Sequence, residues 1–316
     1  MKFLSYSRKN FPDERKPGML RGDRIIDLSD LLRQVGLSFP EGGTLRDFIE
    51  LGSDALQLVE EYINAQQLDS LDSVPRGEVA LQAPLGDARK LILLAGNYIE
   101  HIREVGFRVP PSGDQVTPQF FMKPPSTTII GPDQSVEISD HNLWVDWEVE
   151  LAVVIAGAGR DVPLEDAMQY VFGYTILNDI SERKFNSRIE DRFEREKDPL
   201  FDWLHGKWFD GFAPMRPCVV TKDEIPDPHS LQLLLYHNGK IQQEGSTADM
   251  LHPVPYLIHK LSEIMTIEPG DVIATGTPSG VGVSKGRKLE EGDVVTCKID
   301  PIGELRTPII SSYRGG

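Results

Sequence analysis

The chain has 316 residues, 40% hydrophobic and 26% charged, the balance of an ordinary globular protein with enough length for one large domain or two unequal ones. Its 33 basic and 49 acidic side chains leave a net charge of −16, which argues against nucleic acid or an anionic membrane as partner. Two cysteines, Cys218 and Cys297, allow no disulfide framework or zinc–cysteine cluster and point to a reducing, cytoplasmic setting; no signal segment and no run of roughly 18 apolar residues is visible.

Residues 1–85 read as a small leading α+β domain, with no evident chemistry. Lys2–Tyr6 has the composition of a strand, and Gly18–Leu28 that of a hairpin turning near Arg21-Gly22-Asp23. Thr44 is placed to cap a helix over Leu45–Leu51, and Ser53 to cap another in which Leu56, Val59 and Ile63 recur at helical spacing. The polar stretch Asp69–Pro84, with Pro75 and Pro84, reads as a linker to a larger domain over 86–316.

Leu91–Ala95 opens that domain as a short apolar strand. The helical turn after Gly96-Asn97-Tyr98 puts His101 and Glu104 three apart on one face. A carboxylate beside an imidazole fixes its tautomer and raises its basicity, as a general base needs; a surface ion pair has the same spacing. Pro118–Thr128 and Val136–Ile138 suggest further strands.

The most informative stretch is Asp146-Trp147-Glu148-Val149-Glu150-Leu151, within an apolar run from Val145 to Ile155 that reads as a buried strand. Period-two alternation sends Glu148 and Glu150 to the same face, where two carboxylates repel and lose hydration. A second apolar run, Tyr170–Leu177, ends in Asn178-Asp179, whose carboxylate could complete an oxygen-rich site for Mg²⁺ or Mn²⁺. Edge carboxylates facing water are the competing reading.

Val162–Gln169 reads as a short helix. Ser181–Trp208, densely charged around Glu190-Asp191-Arg192, reads either as a solvated loop or as a lid over a site. Phe212–Thr221 and Leu231–Tyr236 resume strand character, His237-Asn238-Gly239-Lys240 is a hairpin turn, and Val254–Met265 has helical periodicity. Thr275-Gly276-Thr277-Pro278-Ser279-Gly280-Val281-Gly282 is no P-loop, but its glycines allow backbone N–H groups to approach a ligand.

Taken together, these pieces resemble the fumarylacetoacetate hydrolase family. The resemblance covers roughly residues 88–310 and rests on Gly96-Asn97-Tyr98 with His101, the Asp146–Leu151 run, Asn178-Asp179-Ile180-Ser181, Gly206-Lys207 with Phe212-Ala213-Pro214-Met215, Asp249-Met250, Pro269–Pro278 and Gly292-Asp293-Val294-Val295. It implies an α+β, mainly β fold, a mixed β-sandwich roll behind a small N-terminal α+β domain. It assigns a divalent metal, Mg²⁺ or Mn²⁺ with Ca²⁺ as a further candidate, to Glu148, Glu150 and Asp179. His101 and Glu104 become the catalytic dyad, Lys207 the active-site lysine, and Arg183, Thr277 and Gly276 substrate contacts. Glu182 and Lys184 depart from the family's usual Ala and Asp, and 185–205 is longer than in its smallest members.

The activity so implied is hydrolysis of a carbon–carbon bond in an acylpyruvate-type 2,4-dioxo acid, through a metal-stabilised enolate and a water activated by His101 and Glu104. The alternatives are a decarboxylase or isomerase acting on a 2-oxo diacid such as oxaloacetate or a 2-oxo-heptenedioate, and a non-catalytic divalent-cation-binding protein. The expected partners are a small anionic 2-oxo acid and a second copy of the chain in a homodimer.

Overall fold

The computed structural model describes residues 1–65, 71, 73–187 and 189–311. Parts of the expected linker (69, 70 and 72) and of the charged run (188) lie outside the described residues. The architecture is α+β and mainly β, built on two sheets. The larger has eleven strands, in the order Ser73–Pro75, Arg24–Asp27, Phe11–Arg21, Lys2–Arg8, Cys218–Thr221, Val171–Asn178, Val149–Ile155, Val272–Ala274, Leu91–Ala95 and Gln119–Lys123, with Val79–Gln82 also pairing with Lys2–Arg8. All its pairings are antiparallel except Val272–Ala274 with Leu91–Ala95. The smaller sheet has five strands, ordered Lys240–Ser246, Gln232–His237, Val294–Ile299, Gly303–Ser311 and Val136–Ile138.

Val149–Ile155 and Val171–Asn178 are buried at every residue, so their apolar runs are continuous rather than alternating in polarity. Alternation still decides which way each residue faces. Val149, Leu151, Val153 and Ile155 join the core shared with the five-stranded sheet and helix Val254–Ile264. Ala152 and Val154 join a second core with Phe3, Leu28, Leu31 and Phe48 from the leading residues. Glu150 shares the parity of this second group, as does Glu148 just before the strand.

The leading residues follow the expected pattern closely. The hairpin turns between Arg21 and Arg24, and Thr44 forms a full capping box with Asp47 at helix Leu45–Glu50. Ser53 does not cap the next helix; it is its first residue, and Gly52 at φ 83° holds the cap position without a side-chain bond. The expected linker contains the strands Ser73–Pro75 and Val79–Gln82, whose pairing partners lie some fifty to seventy-five residues earlier in the chain.

Four expected elements are cut differently, among them Phe212–Thr221, which is two short strands, Ala213–Pro214 and Cys218–Thr221, in separate sheets. The strand from Val145 breaks at Trp147-Glu148, where the Trp147 amide turns to Asp146 Oδ1 and the Glu148 amide to Asn178 Oδ1. Pro118–Thr128 is a strand only to Lys123, followed by one helical turn at Pro125–Thr128. The charged run carries a helix, Asp198–His205, pinned by Arg192 to Asp202 and Arg195 to Asp198. Among the described residues no helix is long and apolar enough to cross a membrane, and both cysteines are free and buried.

Candidate active site

Strand pairing assembles the three carboxylates. Val149 stands opposite Asn178, so Asp179 arrives level with Glu148, and the Asp179 amide donates to Glu148 O at 2.8 Å. One carboxylate oxygen from each of Glu148, Glu150 and Asp179 lies within 4.8 Å of the others, and all three residues are buried. The water-facing alternative is therefore excluded.

Buried carboxylates need compensation, and three cations provide it. Lys207 Nζ donates to Glu148 Oε2 at 2.7 Å and to Asp179 Oδ2 at 2.5 Å. Arg183 donates through Nη2 to Glu148 Oε1 and through Nε to Asp146 Oδ2 at 3.0 Å. Lys123 makes an ion pair with Asp179 Oδ1. The charge states follow from these neighbours. Burial opposes ionisation of Glu148, yet Lys207, Arg183 and His101 pull its pKa far below the ordinary carboxylate range. Burial also opposes the charge on Lys207, but Asp179 and Glu148 outweigh it and raise its pKa. For Lys123 burial wins, and with Lys207 repelling it the pKa drops to about 8.

Glu150 is the exception. Burial, then Asp179 and Glu148, push its pKa well above the carboxylate range; the Gly276 amide, donating to Oε2 at 2.8 Å, only moderates this. Such a cluster of hard oxygen donors, with one carboxylate short of positive charge, fits a small divalent ion such as Mg²⁺ or Mn²⁺. Glu148, Glu150 and Asp179 would hold it.

His101 sits on helix Ile99–Glu104, close enough for its charge to act on Glu148. Its Nδ1 lies 3.4 Å from Glu104 Oε2. Glu104 has further partners: the Gly280 amide at 2.9 Å and the Ser284 hydroxyl at 2.5 Å. Burial would raise the Glu104 pKa, but the bonds from His101, Ser284 and Gly280 hold it below the ordinary value. Glu104 thus ties the His101 helix to the glycine-rich loop as well as orienting the imidazole.

The other expected substrate contacts are partly engaged within the protein. The Thr277 hydroxyl donates to Val149 O at 2.9 Å and accepts from Gln243 Nε2 at 2.8 Å. The Gly276 amide is spent on Glu150, in a backbone at φ 87° where a Cβ would lie 2.9 Å from that of Asn97. Arg183 faces the carboxylates directly. The structure so brings His101, Glu104, Glu148, Glu150, Asp179, Arg183 and Lys207 together, with Thr277 and Gly276 as parts of the supporting frame.

Two site residues escape a sequence reading. Asp146 holds Arg183 through Oδ2, while Oδ1 accepts the Gly282 amide at 2.6 Å, which links the loop to the strand. Its signal was present, since it stands two residues before Glu148. Lys123 ends an apolar strand and carries no local cue, because its partners are Asp179, Ile180 and Phe212.

The fold and this carboxylate centre define a class. The family model for the fumarylacetoacetate (FAA) hydrolase C-terminal domain matches residues 90–310. The chain belongs to the fumarylacetoacetate hydrolase family. It is 35% identical over 293 residues to a mitochondrial oxaloacetate tautomerase of Xenopus laevis, covering 88% of this chain and 86% of that one. Among solved structures, fumarylacetoacetate hydrolase from Exiguobacterium antarcticum superposes with a TM-score of 0.78 at 30% identity, covering 98% of this chain and 99% of that one. Maleylpyruvate hydrolase from a Sphingobium species, in complex with manganese(II) and pyruvate, superposes with a TM-score of 0.74 at 27% identity, covering 98% and 99%.

Proposed function

We propose that the chain is a divalent-metal-dependent isomerase that interconverts the keto and enol forms of a 2-oxo diacid of the oxaloacetate class. The observation that carries this reading is the similarity to an oxaloacetate tautomerase along 88% of the chain. The site chemistry supports it. A divalent ion held by Glu148, Glu150 and Asp179 would supply a Lewis acid for the 2-oxo and 1-carboxylate oxygens. Keto-to-enol conversion moves one proton from C3 to the 2-oxo oxygen, and the reverse direction returns it. His101, oriented by Glu104, is the group to take the proton from C3. The Lys207 ammonium is the donor for the charge developing on the 2-oxo oxygen, an interaction typically worth a few kcal/mol. Arg183, beside Lys207, adds local positive charge for an anionic substrate within a chain of net charge −16.

The acylpyruvate hydrolase expected from the sequence becomes the second reading, supported by the likeness to maleylpyruvate hydrolase and by the dyad. Hydrolysis places a stricter demand on the site, a water held and deprotonated against a distal carbonyl. Following the decay of enol-oxaloacetate absorbance with and without Mg²⁺ or Mn²⁺ separates the two. The isomerase accelerates the decay while total oxaloacetate is conserved. Decay at the buffer rate, beside rapid release of pyruvate from an acylpyruvate, would overturn the proposal. We further propose a homodimer, from family resemblance, refuted by sedimentation as a single 35.4 kDa species, and a reducing compartment, from the two free buried cysteines.

A further inference from the structure

Two lysines reach the carboxylate centre, and their surroundings differ. Lys123 Nζ donates to Ile180 O at 2.8 Å and to Phe212 O at 2.5 Å, and its ion pair with Asp179 Oδ1 is a third contact. Its side chain is 0% exposed. An ammonium has three donors, and Lys123 commits two of them to main-chain carbonyls on two separate segments. Withdrawing it would leave buried carbonyls without a partner, a cost that falls on the fold whether or not a metal is bound.

Lys207 is held otherwise. Both hydrogen bonds of its Nζ go to carboxylate oxygens, Glu148 Oε2 and Asp179 Oδ2, which belong to the residues that would ligate an ion. Its other neighbours are the rings of Phe121 and Trp203, with centroids at 5.4 and 5.7 Å. A divalent ion entering the site would take over the carboxylates, and the aromatic faces leave the ammonium a favourable place to rest.

We propose that Lys123 is a positioning residue of the metal centre, a fixed ammonium that holds Asp179 in place as a ligand, whereas Lys207 is an exchangeable one that occupies the carboxylates until a divalent ion displaces it. Displacement is then what frees Lys207 to face the substrate, so metal binding and readiness of the lysine are one event. The inference rests on the metal-site reading and is independent of which 2-oxo acid is used.

The test is Mn²⁺ binding without substrate, read from the electron paramagnetic resonance of the free and bound ion. Wild type, Lys123→Met, Lys207→Met and a core control, Leu31→Ala, are compared in the folded range of each. Lys123→Met weakens Mn²⁺ binding about 10–100-fold, the usual effect of losing a partner of a metal ligand, and alters the bound-ion line shape. Lys207→Met binds as tightly as wild type or more tightly, and Leu31→Ala, destabilised at a distance, leaves both readouts unchanged. Wild-type affinity in Lys123→Met, or equal weakening in both lysine variants, would overturn the proposal. A crystal structure of the wild type with Mn²⁺ decides the matter if Lys123→Met does not fold. Lys123 Nζ is expected still on Ile180 O and Phe212 O, with Lys207 Nζ clear of Glu148 and Asp179; Lys207 still bridging them would refute it. Failure of the wild type to bind Mn²⁺ at all would remove the metal-site reading and this proposal with it.

Discussion

On the proposed metal-site reading, Glu150 makes the metal affinity of the carboxylate centre a function of pH. Burial, Asp179 and Glu148 raise its pKa well above the ordinary value, so the metal-free fold retains a proton where a common glutamate has lost it. A divalent ion binds the carboxylate and must expel that proton. One proton released per ion gives a limiting tenfold gain in affinity per pH unit, about 1.4 kcal/mol, from the ordinary carboxyl pKa up to the raised one, and a plateau beyond. Stability of the metal-free protein runs the other way. With the folded pKa above the unfolded one, the contribution of Glu150 is fully present below about pH 4.3 and is lost as pH rises through the folded value. The assay is thermal unfolding with EDTA or with Mn²⁺ at constant ionic strength. At roughly 2 °C per kcal/mol for a chain of this size, the Mn²⁺-induced rise in Tm should grow by about 3 °C per pH unit across the window. Glu150→Gln, with no proton to lose, should show a smaller shift without this slope. A wild-type shift that is flat from about pH 5 upward would refute the reasoning, because it would mean an ordinary carboxyl at this position.

His101→Ala should lower the rate of keto–enol conversion by about 10²–10⁴-fold while Mn²⁺ affinity stays within a fewfold of wild type, since the imidazole is no ligand; an unchanged rate would remove the general-base role. Glu148→Ala should abolish Mn²⁺ binding and, contrary to what relief of carboxylate repulsion suggests, destabilise the metal-free fold by about 3 kcal/mol, because Lys207 and Arg183 both lose a buried partner; a variant as stable as wild type in denaturant titration would contradict this. If the charged run closes over the site, hydrogen exchange across residues 189–201 should slow on adding oxalate with Mg²⁺, and unchanged exchange would return it to a solvated loop.

The three clustered carboxylates, Glu148, Glu150 and Asp179, were legible because their cue is local: two acids at strand spacing in an apolar run, and a third at the end of the next. Their counter-charges were less so. Lys123 looks like the polar end of an edge strand, and only the return of the chain at Ile180 and Phe212 gives its ammonium partners. The break at Trp147-Glu148 was hidden by composition, since the amides leave the ladder for side-chain oxygens of Asp146 and Asn178. Thr277 and Gly276 had the right neighbourhood, but which groups their hydroxyl and amide serve depends on Gln243, Val149 and Glu150, up to 128 residues away. Helix Asp198–His205 was masked by its charges, which are satisfied by pairing with Arg192 and Arg195 rather than by water alone.

The strand Lys2–Arg8 lies inside the large sheet, with Phe11–Arg21 along one side and, one after the other along the opposite side, Cys218–Thr221 and Val79–Gln82. A chain trimmed to the stretch that matches the family model, 90–310, would uncover the backbone of Cys218–Thr221 along with the side chain of Val219, which is at 0% exposure. It would also bare the apolar face that Phe3, Leu28, Leu31 and Phe48 cover. A naked, flat, apolar strand edge recruits other strands, so the expected failure of such a truncation is self-association before any loss of chemistry. Any shorter version of this architecture must guard that edge by other means, with charge or proline in the strand, or with a second subunit laid against it.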